Sequence, residues 1–291
     1  MIAHKNMCAV VVAAVLAATS TVKAVEAENP AKLKWSFAGP FGVFDRAQLQ
    51  RGFKIYREVC QNCHSVSMLS FRNLADKGGP QFTPAQAQAI AAEYKVKDGP
   101  NDQGEMFERA GRLADRFPPP FPNEQAARAA NGGAAPPDMS VIAKARSYER
   151  GIALFPLDVI MAYQEHGPDY IAALLKGYED PPQDFALPEG SQYNKYFPGR
   201  GIKMPNPLSD GQVTYDDDSP ATLDQYSKDI AAFLMWVAEP RLEERKRIGF
   251  QVMVYLLILA GMMYLAKKHV WRNVALHPDK LTPRAPTEYS R

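Results

Sequence analysis

Three cysteines in 291 residues are too few for a disulfide scaffold or a Cys-rich zinc site. No arginine occurs before position 46, which speaks against an Arg-rich mitochondrial presequence. G-x-S-x-G, H-E-x-x-H and a Walker loop are all missing, and with them the common signatures of serine hydrolysis, zinc proteolysis and nucleotide binding. Strand signals are scarce, and no repeat of roughly 20–50 residues recurs, which excludes a solenoid or propeller. Nothing in the charge pattern calls for a nucleic-acid partner. The overall charge of +2 hides an asymmetry. Residues 28–240 carry 22 Lys plus Arg against 27 Asp plus Glu, a net of −5, whereas 241–291 carry ten against four.

Against this sparse background stands Cys60-Gln61-Asn62-Cys63-His64. C-x-x-C-H is the attachment motif of a c-type haem. Thiols three residues apart lie on one side of a helical turn and can add to two vinyl groups of one porphyrin. The adjacent His64 can then offer an imidazole nitrogen to the iron. A thioredoxin-like dithiol would want a βαβ context, and none is visible.

The termini point to export and anchoring. Lys5, the apolar run Ala9 to Ala18 and the small residues Ala24 and Ala27 read as a signal peptide, with the apolar run too short to span a bilayer. Cys8 precedes that run and reads as inert. Ile248 to Ala266 is nineteen residues without a charge, flanked by Arg245, Lys246 and Arg247 on one side and by Lys267, Lys268 and Trp271 on the other. This is the pattern of a transmembrane helix. Lysines and arginines within twenty residues number five on each side, so orientation follows from the leader instead. The expected organisation is a signal peptide over 1–27, a periplasmic c-type haem domain over 28–240, a basic juxtamembrane segment over 241–247, a transmembrane helix over 248–266 and a cytoplasmic tail over 267–291. The chain is expected in the bacterial inner membrane as a single-pass protein.

Within the head, Pro118–Pro122, Asn131–Pro137, Pro181-Pro182 and Pro198–Pro207 mark loops. One helix should start at Asp45 and carry Leu49, Phe53, Tyr56, Cys60 and Cys63 on one face. A second should start at Thr222, with Gln225 completing a capping box, and present Ile230, Phe233, Leu234 and Val237 before Pro240 stops or kinks it. These two helices could pack together beside the haem. Shorter helical turns are expected over 140–147, 157–165 and 170–175. The fold class is therefore mainly α: a cytochrome c-like haem domain with long loops plus one C-terminal transmembrane helix. Asp210, Asp216, Asp217, Asp218 and Asp224 fall in a stretch without Lys or Arg, a solvated loop or a surface that steers a basic partner.

The second iron ligand is open at this level. His166 is the one other histidine in the head, and Met68 is too close to His64 to reach the opposite face. Met106, Met139, Met161, Met204 and Met235 remain. Met161 and Met235 read as helix core. Met204 follows Gly199-Arg200-Gly201-Ile202-Lys203 and precedes Pro205, a loop in which glycine permits close approach to a flat ligand and proline adds stiffness.

Several segments together resemble the cytochrome c1 family, the haem subunits of cytochrome bc1 complexes. They are Val59 to Ser65 with Phe71-Arg72-Asn73-Leu74, Asn131 to Ser140 with Ala145-Arg146, and Tyr196-Phe197-Pro198-Gly199 through Met204-Pro205. Ala232 to Pro240 and the C-terminal span complete the set. The resemblance covers nearly the whole chain after the leader. It implies one haem c bound covalently through Cys60 and Cys63, with His64 and Met204 as axial iron ligands. Arg146 would lie near a propionate, and Pro137 would line the pocket with Pro136. It further implies an electron-transfer subunit with no catalytic site of its own. Such a subunit takes single electrons from a Rieske iron–sulfur protein and passes them to a soluble basic c-type cytochrome, beside cytochrome b in a dimeric membrane complex. Met139 stands where the family usually has Leu, and the extra Cys pair of some bacterial members is missing. Competing readings are a haem peroxidase or nitrite-type reductase with an open iron site, a haem sensor or assembly protein, and an anchored cytochrome serving another dehydrogenase.

Overall fold

The computed structural model describes residues 27–148, 154–160 and 165–276. The expected leader, apart from its last residue, lies outside the described residues, as do Cys8, Met161 and positions 277–291. Two helices organise the head. The first, α1, runs Arg46–Glu58, and Asp45 caps it by accepting from the Gln48 backbone N–H. Its Leu49, Phe53 and Tyr56 are buried, as the spacing predicts. The helix ends at Glu58, however, and the cysteine segment continues as a tighter 3-10 turn over Cys60–Asn62, so one unbroken α-helical face does not reach Cys63.

The other organising helix is α7, Leu223–Ala238, capped by Thr222. Ile230, Phe233, Leu234 and Val237 are all buried. The capping box is only half formed: Thr222 Oγ1 accepts from Gln225 N, but the Gln225 amide turns away to Asp229, at 2.8 Å. Helices α1 and α7 cross at Gly52, where an added Cβ would strike the Asp229 carbonyl oxygen and sit 2.5 Å from Phe233 Cβ. Only the missing side chain lets the two backbones approach so closely. Asp229 is fully buried, and its carboxylate receives Arg51 Nε at 2.8 Å, Tyr215 OH at 2.8 Å and Gln48 Nε2 at 3.2 Å. A buried carboxylate is tolerated when it is paired and fully hydrogen-bonded. This one stitches α1, α7 and the 205–221 loop into one body.

Between them in sequence lie α2 (Pro84–Ala92), α3 (Glu124–Ala130), α4 (Ile142–Ala145), α5 (Phe155–Ile160) and α6 (His166–Lys176). The short turns expected around 140–147 and 170–175 correspond to α4 and α6, and α5 begins before the turn expected at 157. Helix α7 packs against α1, α6 and α4. Gly167 at the start of α6 lies so close to Ala143 that a Cβ would overlap its carbonyl oxygen. An aromatic cluster of Phe53, Tyr56, Phe71, Tyr94, Phe117 and Phe233 fills the centre of the head.

Two antiparallel hairpins complete the head: β1 (Lys95–Asp98) with β2 (Phe107–Ala110), and β3 (Gln192–Tyr193) with β4 (Gly201–Ile202). After a break at Glu239–Arg241, α8 runs Leu242–Leu276. Its stretch Leu242–Arg272 is long and apolar enough to cross a membrane, and its most apolar part is not buried against the head. Residues 242–247 of the basic segment form the first turns of this helix. The fold is mainly helical with small sheets and a single long apolar C-terminal helix.

Candidate haem site

Helix α1 delivers Cys60 half-buried and Cys63 exposed, both as free thiols. The turn is closed by Cys63 N and His64 N, which donate to Cys60 O at 3.2 and 2.9 Å. Tyr94 OH donates to Gln61 Oε1 at 2.6 Å and Tyr56 OH to His64 O at 3.3 Å, so the motif is tied to the aromatic core at Gln61 and His64. Burial, aided by the neighbouring Cys63, pushes the Cys60 thiol up to about 12. Among the described residues no cluster of three His, Cys, Asp or Glu could hold a metal ion, which leaves the zinc reading of the cysteine pair without a ligand set.

His64 Nδ1 lies 2.8 Å from the Pro137 carbonyl oxygen. A carbonyl only accepts, so Nδ1 carries the proton and Nε2 keeps its lone pair, the tautomer of a metal-ligating histidine. Burial lowers the His64 pKa, against the Pro137 bond and the Asp138 charge, which favours the neutral ring. Two thiols and an oriented imidazole within five residues fit a covalently bound haem.

Pro137 is held in place by its neighbour. Asp138 Oδ2 accepts from Ser65 Oγ at 2.6 Å and Ser67 N at 2.9 Å, and Oδ1 accepts from Ser140 N at 2.8 Å. Met139 N donates to Ser65 O, and Met68 N to Ser140 Oγ. Residues 137–140 thus form a clasp over residues 64–68. Burial alone would raise the Asp138 pKa, but the Ser140, Ser65 and Ser67 hydrogen bonds bring it down to about 2. Asp138 stands in the segment 131–140 that carries the family resemblance, but the sequence alone assigns it no role. An acidic side chain between Pro-Pro and Met-Ser, with serines at 65 and 67, was the available signal.

Met204 follows β4, half-buried against the same core that Cys60 packs on. Tyr178 OH donates to its carbonyl at 3.1 Å. The loop before it is pinned by fully buried Asn194, whose amide donates to Leu174 O and whose Oδ1 accepts from Tyr196 N. Arg200 takes a left-handed φ of +58° and its Nη1 donates to Tyr193 OH. Of the other ligand candidates, Met235 and Met139 are buried, while Met68 and Met106 are about two-thirds exposed. His166 faces Tyr148 edge-on at 5.4 Å, with Nε2 3.8 Å from Asp158. Arg146 caps the C-terminus of α4 and is exposed, and its charge opposes the rise that burial imposes on Tyr170.

The acidic stretch is less free than its sequence suggests. Asp216 pairs with Lys54 at 3.0 Å, Asp217 with Arg51 at 3.0 Å, and Asp224 with Lys176 and Lys228 at 2.7 and 2.6 Å.

The family described as the Cytochrome C1 family matches residues 35–274. "Cytochrome b/c1" of Bradyrhizobium diazoefficiens is 64% identical over 247 residues, covering 84% of this chain and 36% of that protein. This chain therefore spans about a third of that relative's length. "Cytochrome c1" of Blastochloris viridis is 49% identical over 260 residues, covering 89% of this chain and 92% of the relative. "Cytochrome c1-2, heme protein, mitochondrial" of Solanum tuberosum is 47% identical over 226 residues, 78% of each chain.

Proposed function

The chain belongs to the cytochrome C1 family, and from that premise we propose that it is the cytochrome c1 subunit of a bc1 complex. In this role it relays single electrons from a Rieske iron–sulfur protein to a soluble basic c-type cytochrome. The observation that carries the reading is the His64 imidazole, its Nδ1 committed to the Pro137 carbonyl and its Nε2 left for a metal, beside two free thiols. In this reading Cys60 and Cys63 hold one haem c covalently, and His64 and Met204 ligate its iron. Arg146 faces a propionate, and Pro137 lines the pocket. When bound, the haem supplies one-electron redox chemistry, at a potential that thioether ligation raises.

The residues of the chain orient and shield. Pro137 fixes the imidazole plane through its carbonyl, and Asp138 fixes Pro137. Tyr178 and Asn194 hold the Met204 loop, so two ligands distant in sequence are each borne on a hydrogen-bonded support. With His64 and Met204 both holding the iron, the haem would keep no open site for peroxide or nitrite, and the subunit would catalyse no reaction of its own. Quinol chemistry belongs to cytochrome b, beside which α8 anchors the subunit in a dimeric complex. The organisation follows: a leader over 1–27, a periplasmic haem domain over 28–240, a span within α8 and a cytoplasmic C-terminus, in the bacterial inner membrane.

The test is a redox titration of the haem-loaded full-length chain, with near-infrared absorption of the oxidised form and carbon monoxide added to the reduced form. A high potential, a Met–iron charge-transfer band and no carbon monoxide binding are expected. A low potential without that band would move His166 into the ligand position, and carbon monoxide binding would favour an open-site enzyme.

A further inference from the structure

The segment that precedes α1 holds its aromatic side chains in two opposite ways. Trp35, Phe37 and Phe44 are buried in the core, whereas Phe41 is 72% and Val43 55% exposed. The exposed pair sits at the foot of the head, beside the start of α8. Phe41 meets Phe250 of α8 edge-on, with ring centroids 5.5 Å apart. Phe250 lies two residues past Ile248, where the uncharged run begins. At about 1.5 Å per helical residue, that is about 3 Å into the apolar layer.

The segment is fixed rather than dangling. Lys246 Nζ donates to the carbonyls of Phe37 and Gly42, and Glu243 Oε1 accepts from Phe44 N at 2.8 Å. The turn itself is closed by Ala38 N to Trp35 O and Val43 N to Ser36 O, each 3.1 Å. The first turns of α8 therefore grip residues 37–44 and hold Phe41 outward at the level where the uncharged run begins, with Val43 exposed beside the basic turn that precedes it.

We propose that residues 37–44 form an interfacial foot, with Phe41 and Val43 seated among the lipids of the leaflet from which α8 emerges. Lipid is the occupant because Phe41 continues the apolar surface of α8 through Phe250, with exposed Val43 two residues further along the same segment. Ile248, Phe250, Val252 and Met253 are likewise exposed beside it. Apolar side chains such as Phe, held on a surface at this level, bury into the headgroup–acyl boundary. The foot rests on the reading of α8 as a membrane span.

The experiment places single spin labels through Phe41→Cys and, independently, Val43→Cys, each with Cys8→Ser so that no other thiol of this chain competes once the haem is attached, and the spectrum of the equally treated Cys8→Ser protein is subtracted to remove label on other subunits. Reference labels come from Leu257→Cys, on the exposed apolar surface of α8, and Glu105→Cys on the head. The haem-loaded full-length chain, with the subunits that co-purify, is placed in phosphatidylcholine vesicles. Collision with oxygen and with a water-soluble nickel chelate is then read by power saturation. The oxygen-to-nickel ratio at 41 and 43 is expected to be several-fold above that at 105 and below that at 257. Values at 41 and 43 equal to that at 105, with 257 immersed, overturn the foot and leave the span standing. Shielding of 41 and 43 from both agents means that a protein partner covers them, which also overturns it. Nickel access at 257 overturns the span, and the foot with it.

Discussion

Replacing Asp138 by Asn keeps the shape of the clasp and removes its charge. In the native chain Oδ2 accepts from both Ser65 Oγ and Ser67 N, and Oδ1 from Ser140 N. An amide offers one acceptor oxygen, so one of these donor groups must face an NH2. The carboxyl is held at about 2 against an ordinary 3.8. At about 1.4 kcal/mol per pH unit, and with solvent at a half-buried group allowed for, that is about 1–2 kcal/mol. The sign follows from the depressed folded value: the contribution is complete above about pH 4 and is lost as pH falls toward 2. Guanidinium unfolding of the haem-loaded chain in detergent, followed by near-ultraviolet circular dichroism from buried Trp35 and Trp236, measures it. Asp138→Asn should be less stable at pH 7 by about 1–2 kcal/mol, and the gap to the native chain should close as pH falls to about 2. An equal stability at pH 7, or a gap that does not change with pH, would refute the assignment of that energy to the carboxylate.

Gly52→Ala should destabilise the head by about 1–3 kcal/mol through overpacking at the α1–α7 crossing; a thermal midpoint unchanged from the native one would mean that the crossing relaxes freely. Met204→Leu should lower the haem potential, remove the Met–iron charge-transfer band and admit carbon monoxide to the reduced form, and an unchanged redox titration would remove Met204 from the ligand set. Arg146→Gln should shift the potential or the haem absorption, and native behaviour in both would separate Arg146 from the propionates. Electron transfer to a basic soluble cytochrome, followed by stopped flow, should slow as ionic strength rises, with a flat profile reducing the acidic head to a solvated surface.

The features legible in the sequence are those whose cause is local. Asp45 and Thr222 announce helix starts because the cap bonds a backbone N–H three residues away. The C-x-x-C-H spacing states its chemistry within five residues, and α8 shows itself as an uncharged run. What stayed hidden depends on partners far along the chain. Asp138 takes its meaning from serines more than 70 positions earlier. Gly52 looks like a weak point in a helix until α7 is laid across it. Asp229 sits among apolar residues of α7 and would be misread as a surface position, because Arg51 and Tyr215 arrive from elsewhere. The aspartates at 216 and 217 read as a free acidic surface for the same reason: Lys54 and Arg51 reach them from α1. The β1–β2 hairpin escaped notice because its strands, Lys-Val-Lys-Asp and Phe-Glu-Arg-Ala, bury neither face and so lack an apolar alternation.

These long-range partners also bear on which kind of haem protein this is. Helix α7 packs against α1, which leads into the cysteine pair, and against α4, which ends at Arg146. Its C-cap Glu239 pairs with both Lys144 of α4 and Arg245 of α8. The cysteine motif, the Arg146 turn and the long apolar helix α8 are thus referred to one rigid element. A ligand sensor needs a part with two packings of similar energy, which the ligand can bias. The α1–α7 crossing leaves no room for a second packing at Gly52, and the buried Asp229 carboxylate binds both helices to one register. The Asp138 clasp has its donors matched to both carboxylate oxygens, so moving it would strand a charge in a half-buried site. A frame built this way holds ligand geometry constant, which suits a carrier that must accept and release an electron without rearranging. This counts against the sensor reading on physical grounds that do not depend on the family.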